Sequence, residues 1–282
     1  MAAREITIGH SPDPDDAFMF YGLTRGKIDT DGFVFKEVVE DIERLNHRAV
    51  EGELDITALS VHAYGYVMDK YALLPCGGSF GDRVGPIVVA RRPMSIGELA
   101  DVRIAVPGTM TSAYLLLKLL LMNFKFEVVR FDRIMDAVRA GDVDAGLLIH
   151  EGQLRYPEMG LHLVVDLGKW WHADTGLPVP LGVNGVRKDL GGELMQQLAD
   201  LLKQSLQYAA AHRDEAVAYA MEYGRGMDAV MTDRFVKMYV NPWTLEMGAR
   251  GREAVVRLLT RGYHAALVPR PEKLEIVQAI GE

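Results

Sequence analysis

The segment GHSPDPDDAFMFYGL, residues 9–23, sets two prolines and three aspartates in positions 12–16, directly before an aromatic run. Carboxylates at this spacing suit three kinds of chemistry: ligation of a hard cation, capping of a helix, or contact with a polar ligand. Pro12 and Pro14 stiffen a turn, and Asp15 or Asp16 can cap the helix that follows and complement its positive end. A hard-metal site needs further oxygen ligands converging from elsewhere, and Asp41 alone is a thin supplement, so no metal is expected. Capping leaves the heavy constraint on the turn unexplained. The segment therefore reads as a pocket rim, with Ser11 and the turn backbone facing a ligand and the aspartates, Asp15 among them, shared between capping and contact. Phe18, Phe20 and Tyr21 read as core.

Two further segments carry candidate chemistry. VPGTMTSAYLLLKLL places Thr109, Thr111 and Ser112 between a strand and a helix start. Hydroxyls and free amides at that point bind anions with help from the helix dipole, and they also serve as plain N-caps. In GLLIHEGQLRY, His150 follows an apolar strand. A neutral imidazole there suits a general base, but spacing alone favours a half-buried histidine bonded to backbone, with no serine or cysteine nucleophile motif adjoining it. The eight histidines contain no pair at the helical spacing of a zinc site, and neither a Walker A loop nor G-x-G-x-x-G occurs, so no nucleotide cofactor is expected.

These residues need a frame. REITIGHS reads as a strand, DDAFMFYGLTRG as a helix, GFVFKEVV as a strand, and the stretch from about Asp41 through IERLNHRAVEG as an amphipathic helix. An internal echo follows. EGELDITALS (51–60) and AGDVDAGLLI (140–149) share a glycine, an acid, an aliphatic residue, an aspartate and an apolar run. Each follows a helix, so each glycine can form a left-handed C-cap and each apolar run a buried parallel strand. Two similar α/β lobes are predicted, joined by two crossover segments around a central cleft. One lobe comprises residues 1–94 and 178–282, with GPIVVARR as a strand leaving it, and the smaller comprises 95–177. Gly77, Gly78, Gly81 and Gly85 permit close approach of main chain to a ligand. Ser11, Ser60, residues 107–112 and His150 all follow predicted strands, where open α/β sheets bind ligands.

Composition is that of a folded chain: 282 residues, 49% hydrophobic and 25% charged. A net charge of −8 gives no electrostatic reason to bind nucleic acid or an anionic membrane. Cys76 is the only cysteine, which excludes an internal disulfide and a thiolate zinc cluster. SAYLLLKLLLMNF is interrupted by Lys118 and too short for a bilayer span. With no signal-peptide core near the N-terminus, a cytoplasmic location is expected.

Taken together, SPDPDDAFMFYGL, EDIERLNHRAVEGELDITALS, VGPIVVARR, AVPGTMTSAYLLL, FDRIMDAVRAGDVDAGLLIHEG and DLGKWWHADTGLPVPLG resemble the 1,4-dihydroxy-6-naphthoate synthase family of the futalosine route to menaquinone, over nearly the whole chain. The resemblance implies a periplasmic-binding-protein type II fold and a lyase that converts cyclic dehypoxanthinylfutalosine to 1,4-dihydroxy-6-naphthoate with release of a sugar-derived fragment. It implies a small carboxylated substrate and neither metal nor organic cofactor. It also implies His150 as the base, with Asn46, Ser60, Ser112 and the Ala113 backbone holding polar groups of the ligand and Thr111 as a neighbouring candidate. The family's opening turn reads Ser-Pro-Cys-Pro-Asn-Asp, whereas Asp13 and Asp15 make it acidic here, which predicts repulsion of a carboxylated substrate or a changed hydrogen-bond partner. The alternatives are a non-catalytic solute-binding protein for small anions, which shares the fold, and the sister enzyme that dehydrates chorismate.

Overall fold

The computed structural model describes residues 4–278. The chain first lays down β1 (Arg4–His10), α1 (Pro14–Thr24), β2 (Phe33–Val39), α2 (Ile42–Glu51), β3 (Ile56–Ser60), α3 (Val61–Val67), β4 (Tyr71–Leu73) and β5 (Ser79–Gly81). It then forms β6 (Ile87–Ala90), β7 (Arg103–Val106), α4 (Ser112–Leu121), β8 (Lys125–Val128), α5 (Ile134–Ala140), β9 (Ala145–Leu148), α6 (Gly152–Arg155), β10 (His162–Asp166) and α7 (Leu167–Thr175). It returns through β11 (Val179–Arg187) to α8 (Gly192–Ala211), α9 (Arg213–Ala220), α10 (Ala229–Tyr239), α11 (Pro242–Leu245) and α12 (Gly248–His264).

Two mixed sheets result. The first has the order β2-β1-β3-β11-β4, with β5 also on β11; the second has the order β10-β6-β9-β7-β8. In each, three parallel strands are followed by an antiparallel one: β2, β1 and β3 with β11, and β8, β7 and β9 with β6. The echo in the sequence marks equivalent places in this pattern, β3 and β9. Gly52 (φ 74°) ends α2 and Gly141 (φ 85°) ends α5, both in the left-handed region that glycine enters without a Cβ clash. The echoed aspartates do equivalent work. Asp55 accepts the Thr7 amide of β1 at 2.8 Å, and Asp144 accepts the Arg103 amide of β7 at 2.9 Å.

One predicted boundary moves. GPIVVARR was assigned to the lobe ending at residue 94, yet β6 pairs with β9 and β10 in the second sheet, so the chain crosses between β5 and β6. Its return falls between α7 and β11.

The helix α1 is buried on every side, including Phe18, Phe20 and Tyr21, because α8 and α9 cover the face turned away from the sheet. Ser205 of α8 stitches the contact: its Oγ donates to the Met19 carbonyl at 2.8 Å and accepts the Leu23 amide at 3.2 Å. This packing holds the acidic turn rigid at the top of β1.

Candidate active site

The carboxyl ends of β1, β3, β7 and β9 face a cleft between the sheets that contains about 680 Å³ of space continuous with solvent. From the first sheet Ser11, Asp13, Asp15, Asp16, Ala58 and Ser60 line it; from the second, Thr111, Ser112, Ala113 and Ile149. The return strand adds Leu181 through Asn184, and α10 adds Phe235 and Tyr239. Six of the predicted site residues thus share one wall or the other, while Asn46 and His150 stand behind it.

The acidic turn is not arranged as a cap. Pro14 occupies the first turn of α1, which makes Asp13 the residue before the helix instead of Asp15 or Asp16. The Asp13 carboxylate accepts from the Ser11 hydroxyl at 2.9 Å and from both terminal nitrogens of Arg225 at 3.1 Å. Asp16 accepts the Ser11 amide at 2.8 Å, and Asp15 accepts the Ser79 hydroxyl at 3.0 Å. Burial, then the charges of Asp16 and Asp13, push the Asp15 carboxyl well above the usual range. Asp15 therefore keeps its proton to higher pH than a free carboxyl does. Behind the turn, His10 donates to the Ser11 carbonyl (2.9 Å) and to Glu37 (3.2 Å). Burial opposes the charge on His10, but Glu37 and Asp16 outweigh it and hold its pKa above the ordinary value.

The opposite wall is neutral. Thr111 caps α4: its hydroxyl accepts the Tyr114 amide at 3.1 Å and donates to the Gly108 carbonyl at 2.9 Å. The Ser112 and Ala113 amides, in the first turn, have no helical carbonyl to bond and meet the cleft with the positive end of the dipole. The Ser112 hydroxyl donates to the Leu181 carbonyl and accepts the His62 amide, which ties α4 to the return strand and α3.

Asn46, expected to touch ligand, instead turns to Ser60. Its Oδ1 accepts the Ser60 amide (2.9 Å) and its Nδ2 donates to the Ser60 hydroxyl (3.0 Å), so it orients a cleft hydroxyl from behind. His150 is likewise set back and only 2% exposed. Its Nε2 donates to the Phe131 carbonyl at 2.8 Å, and its Nδ1 accepts the Gly152 amide at 3.1 Å with Glu151 at 3.3 Å. The Phe131 carbonyl takes a proton from Nε2, while at Nδ1 the Gly152 amide suits a lone pair and the Glu151 carboxylate suits a proton.

Several site residues escaped the sequence reading. Asn184 donates to the Gly77 carbonyl at 2.7 Å, while its Oδ1 has no hydrogen-bond partner among the described residues, an acceptor suited to a ligand hydroxyl. Gly77 (φ 79°) is required there, since a Cβ would fall 2.6 Å from Asn184. Glu43 accepts the Met110 amide at 3.1 Å and so clamps the loop before α4. The glycine cluster around residue 77 was the only signal for this corner; Glu43, Ser79 and Arg225 are ordinary surface types in sequence.

Among the described residues no group of three or more His, Cys, Asp or Glu is arranged to hold a metal ion, and no helix is long and apolar enough to cross a membrane.

Comparison with known proteins agrees with this geometry. A 1,4-dihydroxy-6-naphthoate synthase of Thermus thermophilus is 43% identical over 270 residues, covering 94% of this chain and 98% of that one. A crystal structure of a protein from Archaeoglobus fulgidus superposes with a TM-score of 0.90 at 44% identity, covering 94% and 98%. The alkanesulfonate-binding protein of Xanthomonas axonopodis, at 13% identity and a TM-score of 0.74 over 98% and 99%, shares the fold, which is that of periplasmic binding proteins. The profile of a family described as menaquinone biosynthesis matches residues 6–264, and the chain belongs to that family.

Proposed function

We propose that this chain is a 1,4-dihydroxy-6-naphthoate synthase, a cytoplasmic carbon–carbon lyase that acts on cyclic dehypoxanthinylfutalosine. The observation that carries the reading is the pairing of 43% identity to a synthase of that name with a cleft walled by hydroxyls and free helix amides. A carboxylate belongs at the first turn of α4, against the Ser112 and Ala113 amides, where partial positive charge is fixed in place. Ser11, Ser60 and the Asn184 Oδ1 take the sugar oxygens. These contacts hold the substrate in one orientation.

His150 is the general base in this reading, and Nδ1 is the atom that takes the proton. The ring must exchange the Gly152 amide for the substrate's C–H, and its neighbour in sequence, Ile149, already lines the cleft. Ring opening and carbon–carbon cleavage then follow from the carbanion, with release of the sugar-derived fragment.

The test is a mass-spectrometric assay with cyclic dehypoxanthinylfutalosine. Wild type is expected to form 1,4-dihydroxy-6-naphthoate and His150→Ala to lose at least about 100-fold in rate, the usual contribution of a positioned base. Full turnover by His150→Ala would remove the base assignment, and binding without product in wild type would leave a solute-binding protein.

A further inference from the structure

Arg225 lies in the connection between α9 and α10, between Gly224 and Gly226, with a φ of 47° that residues bearing a Cβ generally avoid. Its guanidinium reaches both sides of the cleft. Toward the first sheet, Nη1 and Nη2 each donate to Asp13 at 3.1 Å, and Nη2 donates to the Pro12 carbonyl at 2.8 Å. Toward the second, Nη1 donates to Glu151 at 2.7 Å and the cation sits 4.7 Å over the Phe131 ring. Burial works against the charge, but Asp13 and Glu151 outweigh it and raise the Arg225 pKa.

The two second-sheet partners of Arg225 are the residues that hold His150. Glu151 is 3.3 Å from Nδ1; Phe131 accepts from Nε2 through its carbonyl and meets the imidazole edge-to-face at 5.3 Å. One planar fork therefore spans the turn after β1 and both supports of the imidazole, without itself lining the cleft. A lysine, a point charge with no flat face, cannot reproduce the bidentate contact and the stacking together. Glu151 is held below the usual carboxylate range, because burial is outweighed by its contacts with His150 and Arg225.

We propose that Arg225 is a positioning residue for the reaction: it fastens the two walls of the cleft to each other and sets the orientation of His150 through Glu151 and Phe131. This rests on the reading of His150 as the base.

The experiment measures kcat and KM on cyclic dehypoxanthinylfutalosine for the full chain and for Arg225→Met, Arg225→Lys, His150→Ala and the His150→Ala/Arg225→Met pair. Arg225→Met is expected to lose roughly 10- to 100-fold in kcat with KM within about threefold, Arg225→Lys to recover part of the loss, and the pair to be no slower than His150→Ala alone. In parallel, long-range ¹⁵N spectra should show the His150 proton on Nε2 in wild type and a changed ring signal in Arg225→Lys, a variant that keeps the charge if Arg225→Met does not fold. Three results would overturn the proposal: kcat of Arg225→Met within about twofold of wild type, full additivity in the pair, or an unchanged kcat and His150 signal in Arg225→Lys. An inactive His150→Ala beside an active Arg225→Met would overturn this proposal alone, whereas an active His150→Ala would overturn the base assignment and this proposal with it.

Discussion

The turn at residues 11–16 and the turn at residues 109–113 occupy equivalent places. Each follows the central parallel strand of its sheet, β1 or β7, and each opens a helix that faces the cleft. Their chemistry differs completely. The first is acidic, and each of its three carboxylates is engaged within the protein: Asp13 by Arg225, Asp15 by Ser79, Asp16 by the Ser11 amide. The second has no charge and leaves two helix amides open to the cleft. The Ser112 and Ala113 amides suit an anion at the second turn, where Glu43 already holds the Met110 amide; at the first, the acids serve to order the wall. Topology places both turns at the site, and side-chain partners decide which one receives charge.

The contrast can be broken most severely by loosening the first-sheet wall from behind. Asn46→Leu leaves the buried Ser60 amide and hydroxyl without their partner, so a loss of about 1–3 kcal/mol in stability is expected. With the Ser60 hydroxyl free to turn, kcat/KM should fall by roughly tenfold or more. Thermal melts and steady-state rates on the same preparation check both. Unchanged rates would mean that Ser60 does not touch substrate.

A smaller effect sharpens the electrostatic half of the comparison. Because the folded pKa of Asp15 is raised, the folded chain holds this proton more tightly than the unfolded chain, and the group costs stability as pH rises from its unfolded pKa, near 3.9, through its folded value. Below that window both states are protonated and the cost vanishes. Asp15→Asn should therefore be more stable than wild type at pH 7, with the gap closing toward pH 3, as read from denaturant midpoints across that range. An equal gap at all pH values would show that Asp15 has the same pKa folded and unfolded.

Much of this frame was legible in local sequence. Gly52 and Gly141 announce helix ends because a left-handed C-cap needs only nearby residues, and the apolar runs that follow them are buried strands for the same reason. What local sequence does not carry is the identity of a distant partner. The residues of β6 are apolar on both faces in either sheet, so only its pairing with β9 and β10 assigns it. Asn46 has the chemistry of a ligand contact but spends it on Ser60. Arg225 shows in sequence as an arginine between two glycines, while its partner Asp13 stands 212 residues away. The acidic turn reads in sequence as a source of repulsion or of changed hydrogen-bond partners, and its partners Arg225 and Ser79 lie far along the chain.

The most direct measurement is a crystal structure of the protein with 1,4-dihydroxy-6-naphthoate bound. The expected result is a carboxylate within hydrogen-bonding distance of the Ser112 and Ala113 amides, with ring oxygens toward Ser60 and Asn184. A carboxylate lodged against Asp13 and Arg225, or a naphthoate bound outside the cleft, would contradict the assignment of the two walls.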